Sequence, residues 1–77
     1  MKLTNTDRKI VREWLDLYVK APLYPLTEKS LARTTRWANG ETQESIANDE
    51  NVSQVAVHQS IYTLAQRIIE MAQGISK

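Results

Sequence analysis

The sequence contains no cysteine, no phenylalanine and a single histidine, His58. Without cysteine there is neither a disulfide nor a thiolate ligand, and one histidine alone does not make a metal site. A lone histidine also has no recognisable catalytic-triad setting. With only two glycines, the chain has no glycine-rich phosphate loop. We therefore expect no enzyme activity, no cofactor and no metal.

Long apolar runs are missing as well. No stretch approaches the roughly 20 apolar residues of a membrane span, and the first nine residues lack the apolar core of a signal peptide. A cytoplasmic protein without a membrane partner is therefore expected. The 77 residues make one domain. Its small core makes stability marginal, so oligomerisation or a partner would help.

Charge is nearly balanced overall, at +1, but it is unevenly distributed. Residues 1–38 contain eight lysines and arginines against four acidic residues, a net charge of +4. Residues 39–77 contain two lysines and arginines against five acidic residues, a net charge of −3. This asymmetry fits a basic surface for nucleic acid, and it fits an ordinary mixed surface equally well.

Apolar spacing predicts an all-α bundle of four or five helices around a helix-turn-helix, in a single domain 1–77. The first helix, capped by Asn5 or Thr6, ends near Lys20, before Pro22. An apolar connector packed on the core follows, so residues 1–25 form the N-terminal helix and connector. The helix-turn-helix core is predicted over 26–68, beginning with a helix from Thr27 to about Ala38. Residues 69–77 are predicted as a helix extension and tail, with Gly74 ending the helix near Gln73.

The segment from Gly40 to Leu64 is the most informative part of the chain. Thr42 is a good N-cap for a short helix over about 42–48. Asn51 stands where the chain must reverse and tolerates the left-handed conformation. Val52 is expected to fill the turn, and Ser53 to cap a second helix. This spacing predicts a helix-turn-helix.

These residues resemble a known family pattern. The similarity covers roughly residues 26–68 and is to the fourth region of bacterial sigma factors and to LuxR-type output domains. The matching residues are Leu26-Thr27, Trp37-Ala38-Asn39-Gly40, Thr42-Gln43-Glu44-Ser45-Ile46-Ala47, Asn51-Val52-Ser53, Val57 and Gln59. The sequence departs from the pattern in three places. Asn51 replaces the usual glycine, Glu50 replaces an apolar residue, and the helix middle at 33–36 is more polar.

The resemblance implies a small bacterial or phage transcription regulator that binds double-stranded DNA in the major groove. The outward side of the second helix carries mostly residue types that can contact base edges. The candidate base contacts are Gln54, Val55, His58, Gln59 and Tyr62. Phosphate contacts are expected from basic side chains and from helix N-termini. These candidates are Lys29, Arg33, Arg36, Thr42, Ser53 and Arg67.

An alternative is an adaptor that uses the same fold to bind protein, such as a sigma-like or repressor-binding modulator. It is favoured by the complete lack of charged residues from Ser53 to Gln66. DNA affinity comes largely from phosphate contacts, which need cations. RNA polymerase or a repressor is then the expected partner, beside or instead of DNA.

The last helix also carries a heptad-like apolar seam. Its far end, with Ile68, Ile69, Met71 and Ile75, predicts a homodimer or partner interface. Dimerisation of LuxR-type domains through their final helix points the same way. The simpler interpretation is that this end packs against the first helix. Trp14 and Trp37 are expected in the core, because a small core needs large side chains.

Overall fold

The computed structural model describes residues 2–21 and 26–76, and within these residues the chain is helical without a strand. The four helices are α1 (Asn5–Lys20), α2 (Glu28–Ala38), α3 (Gln43–Glu50) and α4 (Gln54–Ser76). The predicted all-α class is thus confirmed. The connector predicted at 22–25 lies outside the described residues, and the following Leu26 packs against the core.

Side-chain hydroxyl groups cap the N-termini of the helices. Those of Thr27, Thr42 and Ser53 each accept a backbone N–H three residues later, at 3.1 Å, as predicted. For α1 the predicted cap at Asn5 or Thr6 is wrong, because Thr4 is the N-cap. Asp7 explains this position: its N–H donates to the Thr4 hydroxyl, and its carboxylate accepts the Thr4 N–H at 2.9 Å.

The turn between α3 and α4 depends on Asn51. This residue adopts the predicted left-handed conformation, with φ 56° and ψ 46°. The N–H of Val52 then donates to the carbonyl of Ala47 at 3.1 Å, which closes the turn through the backbone. The Val52 side chain is 38% exposed, so the expectation that it fills the turn is wrong.

The two glycines behave differently. Gly40 follows the C-terminus of α2 with φ +109°, a conformation that favours glycine and cannot continue the helix. Gly74 does not end α4, which continues to Ser76. A glycine typically ends a helix by adopting a positive φ just after it, and among the described glycines only Gly40 does so.

A single apolar core forms where α1, α2 and α3 pack against α4. Trp37 is buried in this core, and the half-buried Trp14 packs against the core, as expected of both residues. The buried apolar residues are Val11, Leu15, Tyr18, Trp37, Ala38, Ile46, Ala47, Val57, Ile61, Leu64, Ala65, Ile68, Ile69 and Ala72.

Burial at the far end of α4 corrects the predicted dimer interface. Ile68 is 0% exposed, Ile69 is buried, and Met71 is half-buried against the same cluster. These side chains therefore belong to the protein's own core, so Ile68 and Ile69 are not offered to a second copy. The side chain of Ile75 lies outside the described set. Within the described residues no helix is long and apolar enough to cross a membrane.

Candidate nucleic-acid interface

The N-terminal part of α4 has one buried and one outward side. Val57 and Ile61 are fully buried. Gln54, Val55 and Gln59 are exposed, and Val55 is 67% exposed. These three predicted base-contacting residues therefore lie where a ligand can reach them. An exposed valine among amide side chains gives this surface both hydrogen-bonding and apolar character.

His58 and Tyr62 complete the predicted set, but they are half-buried. Their rings stack with centroids 5.7 Å apart and planes inclined by 23°. His58 Nδ1 also lies 3.1 Å from Oε1 of Gln43, the first residue of α3. Gln43 was missed by sequence reasoning, because its partner is 15 residues away and no local pattern marks it.

Gln43, Gln54, Val55 and His58 line a shallow recess between α3 and α4. The two amides supply donors and acceptors, the imidazole supplies one of each when neutral, and the valine supplies methyl groups. This combination is complementary to the major-groove edge of a base pair, which exposes hydrogen-bond donors, hydrogen-bond acceptors and the thymine methyl group. The structure thus brings these residues of both helices to one surface.

Arg33 is not available for the phosphate contact predicted from the sequence. Its side chain is 6% exposed. Nε donates to both carboxylate oxygens of Glu50, at 2.9 and 3.1 Å, and Nη1 donates to the Ser60 hydroxyl at 2.8 Å. A charge this deeply buried must keep its partner. The assignment of Arg33 to DNA is therefore wrong, and the residue instead links α2, α3 and α4.

Arg36 is also engaged within the protein. It donates through Nε and Nη2 to both carboxylate oxygens of Glu41, at 2.9 and 2.6 Å. Nη2 contacts the Asp49 carboxylate as well. The hydrogen bonds from Arg36 lower the pKa of Glu41. One cation here faces two anions, so Arg36 adds no net positive charge to the surface.

Three other predicted phosphate contacts, Lys29, Thr42 and Ser53, are exposed, and Lys29 lies on α2. The Thr42 and Ser53 hydroxyls accept backbone N–H groups, which leaves their own protons available for an anion. Arg67 is half-buried and borders a small cavity with hydroxyl groups from α2 and α4.

Among the described residues no group of histidine, cysteine, aspartate or glutamate side chains could hold a metal ion. Comparison with known proteins found no matching family model, no matching curated protein and no matching solved structure. The fold is that of a small all-α protein of four described helices. Function is inferred from the surface that α3 and α4 form.

Proposed function

We propose that the protein is a small cytoplasmic regulator of transcription, bacterial or phage, that binds duplex DNA. In this proposal α3 and α4 form a helix-turn-helix, and α4 is the recognition helix. The observation that carries it is the outward side of α4, where Gln54, Val55 and Gln59 are exposed beside a recess shared with α3.

The size and chemistry of this surface support major-groove binding. An α-helix with side chains is about 10–12 Å across, and the major groove is about 12 Å wide. Gln54 and Gln59 would each donate to N7 and accept from N6 of an adenine. Val55 would contact a thymine methyl group. The surface therefore suits A·T base pairs better than guanine, whose usual partner is arginine.

The surroundings of α4 support a rigid recognition helix. The buried Arg33 joins α3 to α4 through Glu50 and Ser60. Gln43 holds the ring of His58 from the other side of the recess. Side chains that are ordered before binding lose less entropy in the complex. Lys29 and the hydroxyls of Thr42 and Ser53 would contact phosphates and set the register.

The test begins with selection of a preferred duplex from a random-sequence pool. Its affinity is then measured by fluorescence anisotropy over a salt series, beside that of an unselected duplex. We expect log affinity to fall linearly with log salt, because phosphate contacts release counterions. A slope near zero would exclude DNA as the ligand.

Substitution of the base-contacting residues tests the same proposal at single positions. Gln54→Ala and Gln59→Ala should each cost about 1–3 kcal/mol on the selected duplex and less on the unselected one. Gln73→Ala, also exposed but near the other end of α4, is the matched control and should leave both affinities unchanged. Equal losses on the two duplexes would show that these glutamines do not recognise bases.

A second candidate is the protein-binding adaptor. It is favoured by the electrostatics of the surface, since no lysine or arginine occurs from Trp37 to Gln66 and Arg36 is neutralised by two carboxylates. Val55→Asp separates the candidates, because it places a charge on the exposed apolar contact. If the wild type binds no duplex at low salt but binds purified RNA polymerase in calorimetry, and Val55→Asp abolishes that heat, the adaptor is correct.

A further inference from the structure

Arg8 of α1 is held against the core in an unusual way. Its guanidinium carbon lies 5.1 Å from the ring centroid of Trp37, which is buried. Nη2 donates to the backbone carbonyl of Glu41 at 3.5 Å, and the buried Nε has no partner among the described residues. The indole ring is therefore a fixed support, so the charged group is restrained before any ligand arrives.

The charge of Arg8 is not compensated by an acidic side chain. Arg33 and Arg36 have carboxylate partners, but in the described part of the chain no carboxylate lies within 4.0 Å of the Arg8 guanidinium. The nearby Glu41 offers Arg8 only its carbonyl, because its carboxylate is engaged by Arg36. Arg8, which is half-buried, therefore makes no direct ion pair, and the acidic charge nearest to it in these contacts, that of Glu41, is shared with Arg36.

Arg8 contacts the segment that precedes α3, and α3 in turn contacts the outward surface of α4. Glu41, which it contacts, is two residues before Gln43, and Gln43 contacts His58 on α4. The Cα atoms of Glu41 and Gln43 are at most about 7 Å apart, so Arg8 lies near the start of α3 but outside the recess that Gln43 lines. A cation beside the recognition surface, rather than on it, is placed for a backbone phosphate and not for a base edge.

We propose that Arg8 binds a backbone phosphate beside the groove that α4 enters. This inference rests on the proposed function and names a DNA contact that the sequence did not indicate. The terminal nitrogens of arginine match the geometry of a phosphate, with donors that can bind two oxygens at once. Because Nε is buried, the phosphate is met by Nη atoms. Stacking on Trp37 reduces the entropy lost on binding.

The first experiment compares Arg8→Gln with Lys20→Gln on the selected duplex. Each variant removes one positive charge, and Lys20 is exposed about 18 Å further along α1. Arg8→Gln should weaken binding about 5- to 10-fold near 0.1 M salt and reduce the salt slope by about one. Lys20→Gln should change both far less. If the two variants change the affinity and the salt slope equally, Arg8 contributes only to the net charge of the protein, and the inference is wrong.

The second experiment identifies the phosphate itself. Single phosphates of the duplex are replaced by neutral methylphosphonates. We expect one position at which the replacement weakens wild-type binding but causes no further loss in Arg8→Gln. If every position affects both proteins alike, Arg8 touches no phosphate. If the affinity of the wild type is independent of salt, both the proposed function and this inference fail. If the wild type depends on salt but no phosphate depends on Arg8, only this inference fails.

Loss of the contact with Trp37 could also unfold the variant, and circular dichroism with urea titration checks this. If Arg8→Gln is unfolded, Arg8→Lys replaces it in the methylphosphonate experiment, which then decides the inference. Lysine keeps the charge but lacks the planar donor pair. Arg8→Lys should then show a smaller loss at the same methylphosphonate position. A full wild-type loss there in folded Arg8→Lys contradicts the proposed contact.

Discussion

Arg33 and Glu50 form an ion pair in which one guanidinium meets both oxygens of one carboxylate, with Nη2 2.8 Å from Oε1. Arg33 lies on α2 and Glu50 is the last residue of α3, so the pair joins two helices across 17 residues of sequence. The Arg33 side chain is 6% exposed and that of Glu50 is 26% exposed, so the ion pair is largely withdrawn from water.

Glu50→Gln should destabilise the protein by about 2–3 kcal/mol in urea unfolding, because it leaves a buried arginine without its counter-charge. This is below the full range for buried pairs, since the Glu50 side chain is 26% exposed. The control is Asp49→Asn, which removes a more exposed partner of Arg36 and should cost less than about 1 kcal/mol. Similar costs for both variants would mean that burial adds nothing to the pair.

The same pair makes stability depend on pH. The hydrogen bond from Arg33 lowers the pKa of Glu50 below its ordinary value of 4.5. A carboxylate with a depressed folded-state pKa stabilises the protein above its unfolded-state pKa, and this stabilisation is lost as the pH falls through the folded-state value. The free-energy difference between wild type and Glu50→Gln should therefore be constant near neutral pH and shrink below about pH 4.5. A difference that stays constant between pH 7 and pH 3 would contradict the shift.

Ile69→Glu should unfold the protein rather than yield a folded monomer. Ile69 is buried in the core, and an unpaired buried charge costs as much as the whole stability of a small domain. Gln73→Glu is the control, since it introduces the same carboxylate at an exposed position of the same helix and should stay folded. Circular dichroism distinguishes them. A folded, monomeric Ile69→Glu would restore the discarded dimer interface.

The two glycines should respond oppositely to alanine. Neither has an atom within 4 Å of an added Cβ, so only backbone conformation separates them. Gly74→Ala should stabilise α4 by about 0.5–1 kcal/mol, because alanine is the better helix former. Gly40→Ala should cost about 1–2 kcal/mol, since φ +109° strains any residue with a Cβ. Thermal unfolding measures both, and changes of the same sign would refute the explanation.

Local features of the fold could be predicted from the sequence. The caps at Thr27, Thr42 and Ser53 and the left-handed Asn51 each involve partners within about four residues. Such contacts are present in any chain that carries the motif, so a short stretch is enough to infer them. The cap at Thr4 was missed by one or two residues, because the deciding signal was Asp7, which lies inside the helix.

The candidate surface was predicted only in part. The sequence correctly placed Gln54, Val55 and Gln59 on the exposed side of α4. It could not place His58 against Gln43, because helical spacing defines a side of one helix but not the neighbour that faces it.

By itself, the sequence determined the helical class, most helix starts and the direction in which α4 presents its glutamines. These follow from spacing and from hydrogen bonds between near neighbours. Only the tertiary structure decided which arginines are available to a ligand. Arg33 meets Glu50 and Ser60 at separations of 17 and 27 residues, while Arg8 rests on Trp37 without a carboxylate partner among the described residues. The charge of an arginine is set by its chemistry, but its availability depends on which distant carboxylate the packing of the helices brings beside it.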